Sequence, residues 1–174
     1  MMPCSDAMIT NELITAAPDM RVEDALELFQ KHRIRSVPIV DANGKFLGIF
    51  NFHHLLNSIL PAPLGLQKED RRMRGLNLNL DHLTGQTEWL ASRLQSLMER
   101  KLETVMVRDV ETVDPDTPLR EGVRLMANNG SPLPVVDEKT GNLVGLISSQ
   151  SAIRTILQIK ADIKRRKPVD EISR

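Results

Sequence analysis

Val37-Pro-Ile-Val-Asp41, followed by Gly44-Lys-Phe-Leu-Gly-Ile-Phe-Asn51, recurs as Leu133-Pro-Val-Val-Asp137 followed by Gly141-Asn-Leu-Val-Gly-Leu-Ile-Ser148. Each stretch reads as strand, turn, strand: an apolar run containing one proline, an Asp-to-Gly turn, and a second apolar run interrupted by a single glycine. Working upstream, Ala17-Pro-Asp-Met-Arg-Val-Glu-Asp-Ala-Leu-Glu-Leu-Phe29 lines up with Asp114-Pro-Asp-Thr-Pro-Leu-Arg-Glu-Gly-Val-Arg-Leu-Met126 at an offset of 97 residues. The proline strands are 96 apart and the glycine turns 97, so the copies slip by only one residue. Val22, Ala25, Leu26 and Phe29 fall three and four apart, as do Leu119, Val123 and Met126, which predicts a helix in each copy. Asp19 and Asp116 stand where such a helix wants a capping acceptor. Thr10 to Thr15 and Val107 to Val113 lean towards strand, and His53 to Leu60 and Ser149 to Ile159 towards helix. The chain is a β-α-β-β-α unit written twice.

That doubled pattern, a Pro-Asp-led helix, apolar-Pro-apolar-Val-Asp, a glycine turn and a second apolar run broken by Gly, resembles the cystathionine β-synthase (CBS) domain. Two in tandem resemble the Bateman module. The resemblance implies an α/β fold of the α+β type, with the repeats packed as one pseudo-symmetric body. It gives CBS repeats at 1–60 and 103–159, an insert at 61–102 and a basic tail at 160–174.

Within the insert, Pro61 and Pro63 end the first copy, and Leu76 to Leu80 alternates as a short strand would. Thr87 to Lys101 reads as a helix with Trp89, Leu90, Leu94, Leu97 and Met98 on one stripe. Two readings of that stripe stand: it packs on the module, or it meets a partner. The charged stretch Gln67 to Arg74 lacks an apolar stripe. The tail carries Lys164-Arg-Arg-Lys167, which reads as a solvated helix end favoured by the helix dipole.

Composition narrows the function. Over 174 residues, 23 Lys and Arg balance 23 Asp and Glu, which argues against coating nucleic acid or an anionic membrane. Aromatic residues make up 3%, too few for a base-stacking platform. The single cysteine, Cys4, cannot form an internal disulfide and fits a reducing compartment. No basic start precedes an apolar run, and no run approaches the roughly 20 residues of a membrane span. The expectation is a cytoplasmic protein.

No catalytic motif is present: there is no Gly-x-Ser-x-Gly, P-loop or His-Glu-x-x-His, and Cys4 has no neighbouring His. His53 and His54 are adjacent, and adjacent helical side chains diverge by about 100°, so they do not chelate one metal ion together. Neither an enzyme nor a metal protein is expected.

The resemblance instead implies a ligand-binding module for AMP, ADP, ATP or S-adenosylmethionine, with no cofactor required. It implies first-strand hydroxyls at Thr15 and Thr112. Backbone groups for adenine come from Ser36, Val37 and Pro38 in one copy and from Pro132, Leu133 and Pro134 in the other. The family's Gly-h-h-Thr/Ser-x-x-Asp places its ribose-binding carboxylate after the last strand. Here both copies depart from it: Asn51 and His54 occupy the two positions in the first, Ser148 and Ser151 in the second. A neutral His or Ser does not reproduce a bidentate carboxylate acceptor. Two readings stand: His54 favours an anion together with Lys31, His32, Arg33 and Arg35, or His54 is a partly exposed helix residue and Arg33 and Arg35 solvate a loop. The expected function is a stand-alone regulatory or sensory module that binds a nucleotide or other anionic small molecule atypically or weakly, as a homodimer, and signals to an effector protein. The alternative is a ligand-free dimeric scaffold.

Overall fold

The computed structural model describes residues 2–11, 13–60 and 86–166. The anticipated Leu76–Leu80 strand, the charged Gln67–Arg74 stretch and the tail past Arg166 lie outside the described residues. The chain divides into two compact units that do not follow the repeats. Unit 1 holds Met1–Ile14, Ala42–Phe46 and Val110–Arg174; unit 2 holds Thr15–Asp41 and Leu47–Asp109. Each repeat is thus completed by the segment that leads into the other.

Unit 2 is built on α1 (Val22–His32), β1 (Ser36–Val40), β2 (Phe46–Asn51) and α2 (Phe52–Ile59), with β1 and β2 paired as a two-stranded sheet. α1 buries Val22, Ala25 and Phe29, the stripe its spacing predicts. The Phe29 ring stacks on Phe50 at 5.8 Å and meets Phe52 edge-on at 4.9 Å. α3 (Gln86–Met98) ends three residues earlier than expected. The C-terminal half of its stripe packs, with Leu97 buried, while Trp89 and Leu90 stay exposed and the Arg93 guanidinium lies 5.1 Å over the Trp89 ring.

A 3-10 turn at Leu102–Thr104 then docks the leader of the second repeat onto the first. Leu102 N–H donates to Met20 O at 2.8 Å, Glu103 N–H to Pro18 O at 2.9 Å, and Val22 N–H to Arg100 O at 2.9 Å. Val107 pairs antiparallel with Ile49 through two hydrogen bonds of 2.9 and 2.8 Å.

Unit 1 repeats this plan. α4 (Leu119–Asn129), β3 (Leu133–Val136), β4 (Leu143–Ile147) and α5 (Ser149–Arg166) follow in order, with β3 antiparallel to β4 and Val135 opposite Gly145. Here the docked leader is the N-terminus, through a 3-10 turn at Cys4–Asp6. Cys4 N–H donates to Thr117 O at 2.7 Å, Ser5 N–H to Pro115 O at 2.9 Å, and Leu119 N–H to Met2 O at 2.9 Å. Ile9 pairs antiparallel with Leu146. Cys4 is fully buried with Val113, Leu119, Leu133, Val135 and Ile147, and burial pushes its thiol pKa up. It is a packing residue, kept as the neutral thiol.

Two expectations need correction. Neither Asp19 nor Asp116 caps a helix: the N-cap positions are Arg21 and Pro118, with no side-chain cap hydrogen bond at either. The leader carbonyls of Arg100 and Met2 instead accept from the first helical amides, Val22 N–H and Leu119 N–H, one of the four amides that each helix start leaves without an intrahelical partner. The stretches expected as opening strands make isolated bridges rather than strands: Val107 with Ile49 and Val113 with Val135 in the second copy, and in the first Ala16, just past the expected stretch, with Ile39. Pro18 and Pro115 follow within two residues, and a proline has no N–H with which to extend a ladder.

Candidate functional site

The two departures from the ribose pattern fall at helix starts. In the second repeat Ser148 caps α5. Ser151 N–H donates to Ser148 Oγ at 3.0 Å, Ser148 N–H donates to Ser151 Oγ at 3.0 Å, and Ser151 Oγ–H donates to Ser148 O at 3.1 Å. This is the reciprocal capping box, which the Ser-x-x-Ser spacing builds locally. In the first repeat Asn51 caps α2, its Oδ1 accepting from His54 N–H at 2.9 Å. The hydroxyl-x-x-acceptor spacing therefore serves the helix before it serves a ligand.

Ser151 also lines a groove of about 300 Å³ within unit 1, at the lower end of the roughly 300–1,000 Å³ of small-molecule sites. One wall is the leader from Asp6 to Asn11; the other is a face of α5 carrying Ser151, Arg154, Thr155 and Gln158. Those four stand at i, i+3, i+4 and i+7, one polar helical stripe. Thr155, largely buried, spans the walls, its Oγ1 lying 3.4 Å from Asp6 O as donor. The groove offers hydroxyls at Thr10 and Ser151, a carboxamide at Asn11, a carboxylate at Asp6 and a guanidinium at Arg154. That set can hold a polar ligand carrying an anionic group.

Thr112 is not brought to this groove. It lines another of about 360 Å³ in unit 1, beside Asp114, Glu121, Asp137 and Glu138. Backbone N–H groups of Thr140 and Lys139 hold the Asp137 carboxyl below its usual pKa, and Arg124 does the same for Glu121. Four carboxylates make that recess inhospitable to a phosphate.

Leu133 and Pro134 are buried in β3, and Pro134 O accepts from Val113 N–H at 3.1 Å, which leaves it one lone pair. Pro132 is half-buried. In unit 2, Val37 and Pro38 are likewise buried, with Pro38 O accepting from Ala16 N–H at 3.0 Å. Thr15 and Ser36 are half-buried there. The Ser36 Oγ atom is itself buried and finds no hydrogen-bond partner among the described residues. A buried hydroxyl without a partner costs about 1–3 kcal/mol, a cost that a ligand's polar atom would offset.

Of the residues the sequence singled out, Ser151 lines this groove, whereas Asp6, Thr10, Asn11, Arg154 and Thr155 on its walls were not among them. The α5 residues were readable from the helical spacing counted from Ser151. The leader was not, because it reaches the site by joining the other repeat. Among the described residues, no group of three or more His, Cys, Asp or Glu side chains is placed to hold a metal ion. No described helix is long and apolar enough to cross a membrane.

Comparison with known proteins agrees with the doubled fold. The family profile of the CBS domain matches residues 4–61 and 102–158. The chain is 29% identical over 160 residues to the uncharacterized protein MJ1426 of Methanocaldococcus jannaschii, covering 86% of this chain and 89% of that one. It spans less of other relatives, 43% of MJ0188 from the same organism and 59% of chloroplastic CBSX2 from Arabidopsis thaliana. The crystal structure of CBSX2 in complex with AMP superposes with a TM-score of 0.65 at 24% identity, covering 92% of this chain and 99% of that one. The CBS domain pair of MJ0100, in complex with 5-methylthioadenosine and S-adenosyl-L-methionine, gives 0.59 at 23%, covering 89% and 99%. At these identities the two structures share a fold with this chain.

Proposed function

Since the chain belongs to the CBS-domain family and carries that domain twice, we propose that it is a regulatory module that binds an adenine nucleotide or S-adenosylmethionine and passes the change to an effector protein. The observation that carries this reading is the groove where the leader and the polar stripe of α5 meet, with Thr10, Ser151 and Arg154 on its walls. The orphaned Ser36 hydroxyl in unit 2 supports a ligand there as well. The complexes of CBSX2 with AMP and of MJ0100 with S-adenosylmethionine support the ligand class. Ser151 leaves the ribose with one free lone pair, so binding is weak, and the ligand is expected in the micromolar-to-millimolar range.

A ligand that binds only the folded state raises stability by about 2.7 kcal/mol at one hundred times its Kd. A thermal-shift titration with AMP, ADP, ATP and S-adenosylmethionine should therefore raise the melting temperature by several degrees for at least one of them. No shift from any of the four at 10 mM would leave the ligand-free scaffold as the better reading.

The module works as a homodimer on this reading. On α5, Ile153 and Leu157 are 57% and 59% exposed, and on α2 Leu56 is 60% exposed. Such apolar faces mark protein interfaces. Light scattering at micromolar concentration should give twice the 19.6 kDa chain mass, and Leu157→Glu should shift the population towards monomer. A wild-type monomer throughout that range would remove the dimer.

A further inference from the structure

We propose that Arg154 is the specificity-determining residue of the α5 groove, reading the ligand's anionic group so that nucleoside phosphates bind in preference to the nucleoside. The inference rests on the ligand-binding reading above and deepens it. Among the described residues, Arg154 is the only cationic side chain lining that groove. It stands one turn along α5 from Ser151, on the stripe that forms the wall. Among the described residues no carboxylate lies within ion-pair distance of it, although ion pairs form elsewhere, among them Arg21–Glu23, Lys101–Glu103 and Arg124–Glu121.

Nothing in the helix itself calls for a cation there. Arg154 lies towards the N-terminal end of α5, whereas the helix dipole stabilises cations in the last turn. The repeat sharpens the contrast. The matching position in the first copy is Asn57, whose Nδ2 donates to His53 Nε2 at 3.2 Å and so serves its own helix. Among the described residues the groove's one carboxylate, Asp6, balances the charge, so attraction is local to the guanidinium rather than a property of a basic surface. A guanidinium presents its donors as a planar fork matched to phosphate oxygens, which a lysine does not.

Calorimetry with adenosine and AMP on wild type, Arg154→Gln and Arg154→Lys tests this. Arg154 is exposed, and Gln has similar helix propensity, so the variants should melt with the wild type. Arg154→Gln should weaken AMP about tenfold or more while leaving adenosine within about twofold. Arg154→Lys should fall between. The salt dependence of AMP affinity should flatten in Arg154→Gln, which a purely structural role would not produce. If AMP binds wild type and Arg154→Gln equally, the assignment is overturned while ligand binding stands. If wild type binds neither adenosine nor AMP, the ligand-binding reading falls and this inference with it.

Discussion

Gly48→Ala should destabilise the protein by about 3 kcal/mol or more and lower its melting temperature by about 10 °C. A Cβ on Gly48 would lie 2.4 Å from Val107 O, 3.1 Å from Val107 C and 3.3 Å from Met106 Sδ. Val107 O is the acceptor for Ile49 N–H, and Val107 N–H donates back to Ile49 O. The new methyl therefore displaces a backbone atom that two ladder hydrogen bonds hold in place. Overpacking of about 1–3 kcal/mol adds to the loss of bonds worth about 1 kcal/mol each. Gly145→Ala, at the equivalent position, should cost about half as much. There the Cβ would meet Met8 Cγ at 2.1 Å and Sδ at 2.5 Å, and Ile9 O at 3.0 Å. A methionine side chain can swing away; a paired carbonyl cannot. Thermal melts of both variants decide it. A Gly48→Ala melt like the wild type would mean that the second leader does not cross β2, and equal losses in both would refute the distinction between backbone and side chain.

That crossing explains the glycine in both apolar runs and marks the limit of what the sequence could disclose. Helices α1 and α4 and the four strands were readable because their apolar spacing is local: Val22, Ala25 and Phe29 face one core, and Val135 and Ile147 another. The leaders were not readable. Pro3 to Ile9 and Lys101 to Val107 dock in parallel ways, yet share only Met8 and Met106 as identical residues. Each is held largely through backbone hydrogen bonds, for which almost any residue serves, with an unlike buried anchor in each, Cys4 or Leu102, and each completes the other repeat from far along the chain. The expected Asp caps failed because the helices begin later than that reading assumed, with Arg21 and Pro118 at the N-cap positions. At the groove, Ser151 was found by its motif, and Arg154 and Thr155 were available from helical spacing. Asp6, Thr10 and Asn11 required knowledge of the exchange.

Ser151→Asp should strengthen adenosine and AMP binding about tenfold or more. A hydroxyl has one donor and two acceptor lone pairs. Ser151 donates to Ser148 O and accepts from Ser148 N–H, so one lone pair is left for a ligand. An aspartate at the same position keeps the cap, because a carboxylate at the third helical position can still accept from Ser148 N–H. It is also favoured by the positive end of the helix dipole. Its remaining lone pairs can take both hydroxyls of a ribose, and a charge-assisted hydrogen bond is worth roughly 1.5–3 kcal/mol. The gain should appear with adenosine as well as AMP, since both carry the ribose, whereas Arg154→Gln affects AMP alone. His54→Asp should gain less, because Asn51 rather than a hydroxyl caps α2 beside it. Calorimetry on wild type and both variants, with melts to confirm folding, measures the difference. If Ser151→Asp melts normally yet binds adenosine no better than wild type, no ribose lies against the start of α5. The groove then holds its ligand by another part, and if wild type binds none of these nucleotides the service of the Ser148–Ser151 pair is to cap the helix of a scaffold.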